Sequence, residues 1–239
     1  MNHPPLPPPA LRLAIPELAA LLQLASPALP VGAFSYSSGL EAAVEHGLVT
    51  DVASAQDWIR DGLREVVGRA ELPLLKRFHA GWCAGGDLKA VAGWNAWHLA
   101  SRESAELRSE TEQMGWSLVR LIDRLAWGDP ERRAALRALQ PVGFPCAYAF
   151  AAVAIGTSYD AAATAFCFAW MENQVMAAIK SVPLGQTTGQ QILFSLRPEI
   201  AATIDAASGL KDDEIVSFAP LLGILSSRHA LQYSRIFRS

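Results

Sequence analysis

His79 and Cys83 stand four residues apart in a segment with helical spacing, so both side chains would leave one helix face and could share one metal ion. Two ligands do not complete a site. No second pair of this kind lies nearby, and neither H-E-x-x-H nor C-x-x-C occurs. Ordinary packing or surface roles are the simpler account of the pair, and a metal site would need further ligands from across the fold or from another subunit. Leu184-Gly185-Gln186-Thr187-Thr188-Gly189-Gln190 resembles a phosphate-cradling glycine loop, but a P-loop needs Lys and then Ser or Thr directly after its last glycine. Here Gln190 and Gln191 follow, so nucleotide hydrolysis by this chain is rejected. Ser208-Gly209-Leu210-Lys211 matches a bare S-x-x-K without its companion motifs, and a helix C-terminus at Gly209 explains it.

Two polar features say more. Glu172, Asn173 and Gln174 are consecutive in the most apolar stretch of the chain, which ends at Lys180. Buried polar groups have partners, so these three either fix the register of neighbouring helices or line a wet passage or docking surface. Between Asn95 and Gln113, the residues Arg102, Glu103, Glu106, Arg108, Glu110 and Glu112 read as a solvated face laced with i,i+4 pairs.

These residues must be carried by something, and the composition narrows what. The chain has 239 residues, of which 51% are hydrophobic and only 18% charged, against the roughly 25% charge of an average globular protein. Little polar material is left to cover the surface, which points to faces buried on partners. A net charge of -3 gives no general attraction to nucleic acid or anionic lipid. Cys83, Cys146 and Cys167 are odd in number and set in apolar segments, which is no disulfide framework and suits a reducing cytoplasm. The start of the chain lacks the basic and apolar regions of a secretory signal.

Residues 1–13 read as an extended, Pro-rich tail, and residues 14–239 as a single all-α domain, a bundle of about ten helices. Pro16 suits the first turn of a helix to Ala25, and a shorter helix runs from about Ser38 to His46. Asp51 caps a helix with apolar residues at Ala55, Ile59, Leu63, Val67 and Ala70, which Pro73 should bend or end before Leu74 to Ala84 resume. A stretch with Trp94 and Trp97 follows. Leu107, Thr111, Met114, Leu118, Leu121 and Leu125 then form the clearest helical seam. Asp129-Pro130 opens another helix, and the runs from Cys146 to Gly156 and from Asp160 to Lys180 read as central helices. Helices over Gly185 to Leu196, Pro198 to Ala207 and Asp212 to about Tyr233 complete the set.

Four ordered blocks are more specific than any of these motifs. They are Leu21 to Glu41 with its S-P-A-L-P-V-G-A-F-S-Y-S-S-G-L-E run, Ser101-Arg102-Glu103-Ser104-Ala105-Glu106-Leu107-Arg108 on to Gly115, Ala177 to Thr187 with K-S-V-P-L-G-Q, and Arg228-His229 with Tyr233 to Ser239. In this order they resemble the urease accessory protein UreF family over residues 21–239. The resemblance implies a non-enzymatic all-α homodimer that binds UreD (also called UreH), recruits and regulates the GTPase UreG, and enables nickel insertion into apo-urease. It implies no stably bound cofactor, nickel being handled by the complex, and neither nucleic acid nor membrane as a partner. It maps GTPase docking onto Glu41 and Lys180, and suggests Tyr233, Arg235, Phe237 and Arg238 as a tail docking on UreD. Glu172, Asn173 and Gln174 become a possible nickel channel. The competing expectation is a helical metal-dependent enzyme built on His79 and Cys83.

Overall fold

The computed structural model describes residues 13–229, 232, 233 and 235–238, and among them there are helices and no strands. Eleven α-helical segments follow in order: α1 (Ile15–Ala25), α2 (Leu40–Glu45), α3 (Val52–Asp61), α4 (Leu72–Trp82), α5 (Leu88–Ala100), α6 (Ala105–Arg124), α7 (Pro130–Ala138), α8 (Phe144–Ala154), α9 (Tyr159–Ser181), α10 (Gln186–Ser208) and α11 (Pro220–His229). A π-helical segment, Gly62–Glu71, joins α3 to α4 as one rod, so the segments make ten rods. Of the tail expected over residues 1–13, residues 1–12 lie outside the described residues. Leu13 packs on a small cluster of Leu21, Ala161 and Ala165.

Local chemistry starts most helices. The side chains of Asp51, Asp87, Ser104, Asp129 and Ser158 each accept backbone N–H groups of the first turn, and proline sits in the first turn of α1, α4, α7 and α8. The core lies where α4 packs along α8 and α8 along α6, with α9 and α10 closing the other side. Phe78, Trp82, Leu118, Ile122, Cys146 and Tyr148 are all but inaccessible there. Trp82 donates its indole N–H to the Cys146 carbonyl at 3.1 Å and meets the Phe150 ring edge-on at 5.2 Å.

Three expectations are corrected. Pro73 does not end its helix. A proline at this position removes the bond to the carbonyl four residues back, and here the turns before it widen, with the Leu72 N–H bonding the Val67 carbonyl five residues back. The Arg69 carbonyl, four before Pro73, instead accepts the N–H of Val216 at 3.2 Å. Gly62 stands where this segment meets Trp170, since a Cβ there would come within 2.7 Å of the indole. Pro198 likewise lies inside the continuous helix α10. Pro198 and Phe194, the residue whose carbonyl Pro198 leaves without its usual helical donor, are both exposed.

The third correction is the helix expected from Asp212 to Tyr233. Only a short 3-10 turn, Asp212–Glu214, and then α11 are helical. The intervening chain has no regular structure and bonds to groups distant in sequence. Val216 bonds Arg69, the Ser217 hydroxyl donates to the Ser101 carbonyl at 3.0 Å, and the Ala219 N–H donates to a Glu103 carboxylate oxygen at 2.7 Å.

Candidate functional site

Glu41 is the second residue of α2, and the backbone delivers it there through two positive-φ residues. Ser38 has φ 48 and Gly39 has φ 81, a region that costs glycine least, and a Cβ on Gly39 would come within 2.6 Å of the Leu222 side chain. This turn drives α2 inward, and the Glu41 side chain ends up 6% exposed. Its carboxylate accepts three bonds: from His229 Nε2 at 2.9 Å, from the Ile236 N–H at 2.7 Å, and from the Phe237 N–H at 3.0 Å. One carboxylate thus fastens α11 and the last described residues onto α2. Removing such a group leaves buried donors unpaired, at a cost of about 3–5 kcal/mol.

Lys180, in the last turn of α9, is exposed, with its ammonium 5.2 Å from the centre of the Phe237 ring. Phe237 itself is buried in a cluster with Leu40, Val182 and Leu225. Glu41 and Lys180 are therefore brought to one place by the residue between them, although Glu41 keeps its carboxylate inside and only Lys180 faces out. The four C-terminal residues separate: Tyr233 is fully exposed and Arg235 exposed, Phe237 is core, and the Arg238 guanidinium bonds the Tyr36 hydroxyl. Burial pushes the Tyr36 phenol above its ordinary range, and the Arg238 bond offsets part of that. The Arg238 N–H also donates to the Ser35 carbonyl at 2.7 Å.

Beside this site lies a cavity of about 470 Å³ with Met114, Trp58, Phe166 and Trp170 on its walls. Glu172 and Asn173 line it; Gln174 does not. Desolvation raises the Glu172 carboxyl above its usual range, and the Asn173 amide donates to the Tyr36 carbonyl at 3.0 Å. Gln174 is fully buried, and neither atom of its side-chain amide has a hydrogen-bond partner. Three consecutive residues on a helix point about 100° apart, which is why the trio does not converge.

His79 and Cys83 do sit together, with Sγ 3.9 Å from Nδ1. His79 Nε2 lies 2.9 Å from the Thr157 carbonyl, so that nitrogen donates and Nδ1 faces the thiol as an acceptor. No group of three or more His, Cys, Asp or Glu is arranged to hold a metal among the described residues. Cys146 and Cys167 are buried, and burial pushes the Cys167 thiol up to about 12.

His229 is the site residue that reading for chemistry missed. It stands in the C-terminal block, 188 residues from Glu41, and only the pairing of that block with the G-L-E turn could have signalled it.

The site thus joins the C-terminal residues to α2 beside an apolar cavity. A family model described as UreF matches residues 49–197, well over half of the chain. The chain belongs to the UreF family of urease accessory proteins. The match includes the Ser101 and Ala177 blocks, while Glu41 and the C-terminal block lie outside it. No helix among the described residues is long and apolar enough to cross a membrane.

Proposed function

We propose that this chain is a cytoplasmic scaffold for urease maturation, a homodimer that binds UreD/UreH, recruits the GTPase UreG and regulates its cycle, and enables nickel to reach apo-urease. Nickel is cargo of the assembled complex, the chain has no turnover of its own, and it keeps no resident cofactor. The observation that carries this reading is the convergence of three of the recognised blocks at one place, with Lys180 facing out above buried Glu41 and Phe237. Glu41, Lys180 and Phe237 come from different ends of the sequence and meet within a few ångströms. Membership of an accessory family supports the same direction.

Within this reading, Lys180 is the charge offered to the GTPase, and Glu41 acts by keeping the chain beneath it in place. Tyr233 and Arg235 are the exposed side chains available to UreD, with Phe237 anchoring them from within. The wall formed by Glu172 and Asn173 is the part of the expected channel that borders open space.

The test is co-expression with tagged UreD- and UreG-type partners and apo-urease, reading complex mass and urease nickel content together. Lys180→Ala should lose UreG from the complex, because truncating one side of a charge contact desolvated on docking costs about 2–5 kcal/mol; Glu41→Ala, read at a temperature where it is folded, should lose it indirectly, by releasing Phe237 from beneath Lys180. Full recruitment by both folded variants would end the assignment of this face to the GTPase. Nickel loading that does not depend on the chain would end the scaffold reading itself.

A further inference from the structure

The Ser101-Arg102-Glu103-Ser104 junction between α5 and α6 reads in sequence as a solvated charged face, yet each of its four residues reaches a different remote group. The Ser101 carbonyl accepts the Ser217 hydroxyl at 3.0 Å. Arg102 pairs with Glu71 of the π segment at 2.8 Å, with side chains only 10% and 13% exposed. One Glu103 oxygen accepts the Ala219 N–H at 2.7 Å, and the other lies so close to α11 that a Cβ on Gly223 would come within 2.8 Å of it. The Ser104 hydroxyl, besides capping α6, meets the Ser226 hydroxyl at 2.7 Å, and Ser226 is fully buried.

Three of these four contacts end on the segment 217–226. The Val216 bond to Arg69 lies just ahead of them. From Ser226 it is less than one helical turn to His229, whose imidazole bonds Glu41. A continuous chain of bonds thus runs from the π segment through the junction and α11 to the carboxylate holding Ile236 and Phe237. Hydrogen bonds fix direction where apolar contact alone would let a short helix slide, and a carboxylate beside the N-terminus of α11 also meets the favourable end of the helix dipole.

We infer that Ser101–Ser104 is a positioning element for the Glu41 site: it sets where α11 lies, and through His229 it decides whether the Glu41 carboxylate stays closed on Ile236 and Phe237. Glu103 is the key residue, because it fixes the entry to α11. The consequence for recruitment rests on the docking reading above; the positioning itself does not.

The experiment compares the full chain with its Glu103→Ala and Glu103→Gln variants, and uses Ser226→Ala as a second break in the same path. Amide hydrogen exchange is read at Gly223 to His229, at Ile236 and Phe237, and in α8 as an internal reference; UreG recruitment is read in parallel. Glu103→Ala and Ser226→Ala should speed exchange at α11 and at Ile236 and Phe237 by about tenfold or more while α8 keeps its rates. Glu103→Gln retains an acceptor oxygen and should stay within about twofold of the parent. Unchanged exchange at Ile236 and Phe237 in both breaking variants would overturn the inference, as would acceleration shared equally by α8. Faster exchange with full recruitment would leave the positioning standing and remove the docking reading; lost recruitment with unchanged exchange would do the reverse.

Discussion

The core between α4 and α8 and the site around Glu41 are both buried, but they are held in different ways. In the first, Trp82, Phe78, Tyr148 and their neighbours fill space with many small dispersion contacts, and no single one is indispensable to the geometry. In the second, one carboxylate takes three donors, and the residues it holds are 188 to 196 positions away in sequence. Dispersion spreads a loss over the whole molecule; a hydrogen-bonded junction concentrates it. Damage to the core should therefore cost stability without choosing a function, whereas damage at the junction should cost geometry at one face.

The largest expected effect breaks the core side of this comparison. Trp82→Ala removes an almost inaccessible indole and should cost about 3–5 kcal/mol in chemical denaturation. At temperatures where the variant is still folded, exchange at Ile236 and Phe237 relative to α11 should stay as in the parent. A selective release of those two amides would erase the distinction between the regions.

His98 tests a place where burial and charge meet. Desolvation is the main cause that lowers its pKa to about 4, with Arg102 also lowering it and Glu71 opposing them; its Nε2 meets the Thr111 hydroxyl at 3.1 Å. The unfolded imidazole takes its proton near 6.5, and the folded one holds out to about 4. Between those values the unfolded state binds more protons, so stability falls as the pH drops through that window, by about 3 kcal/mol in all. Urea denaturation of the parent and of His98→Gln at pH 7, 5.5 and 4.5 reads this contribution. Equal pH dependence in both would assign the acid sensitivity to other groups.

The smallest effect has the opposite sign. Gln174→Leu replaces a buried amide without partners by an apolar side chain of similar size, and should leave the protein as stable or up to about 1 kcal/mol more so. A loss of more than that would mean that the amide has bonding the fold depends on. Measured beside nickel loading, the same variant also asks whether Gln174 serves passage of the ion.

What could be read from the sequence was what is decided nearby. Asp51 and Asp129 cap their helices with groups two or three residues away, and of the seam expected from Leu107 to Leu125 the residues Thr111, Met114 and Leu118 are buried and Leu121 packs on the core, while Leu107 lines the cavity and Leu125, past the end of α6, is exposed. Pro73 and Pro198 misled because the fate of the freed carbonyl is set by its surroundings: Val216 bonds the first, and the second lies at an exposed position on α10. Ile215 to Ala219 stay out of a helix where Val216, Ser217 and Ala219 bond Arg69, Ser101 and Glu103, and none of that is written in the segment itself. Resemblance named Glu41, Lys180 and Phe237, and the structure brings these three residues together. Their arrangement was not legible, since spacing along the chain does not say that Glu41 turns inward or that Gln174 parts from Glu172 and Asn173.

The bond from Val216 to Arg69 also sets an order of events at the ribosome. The Arg69 carbonyl is made early, yet its partner lies far down the chain; at about 5–20 residues per second, the wait is on the order of ten seconds. Until then the Arg69 carbonyl lacks the donor it has in the finished fold. The nascent protein completes this bond only when most of the chain has emerged, so its N-terminal half is finished by its C-terminal half.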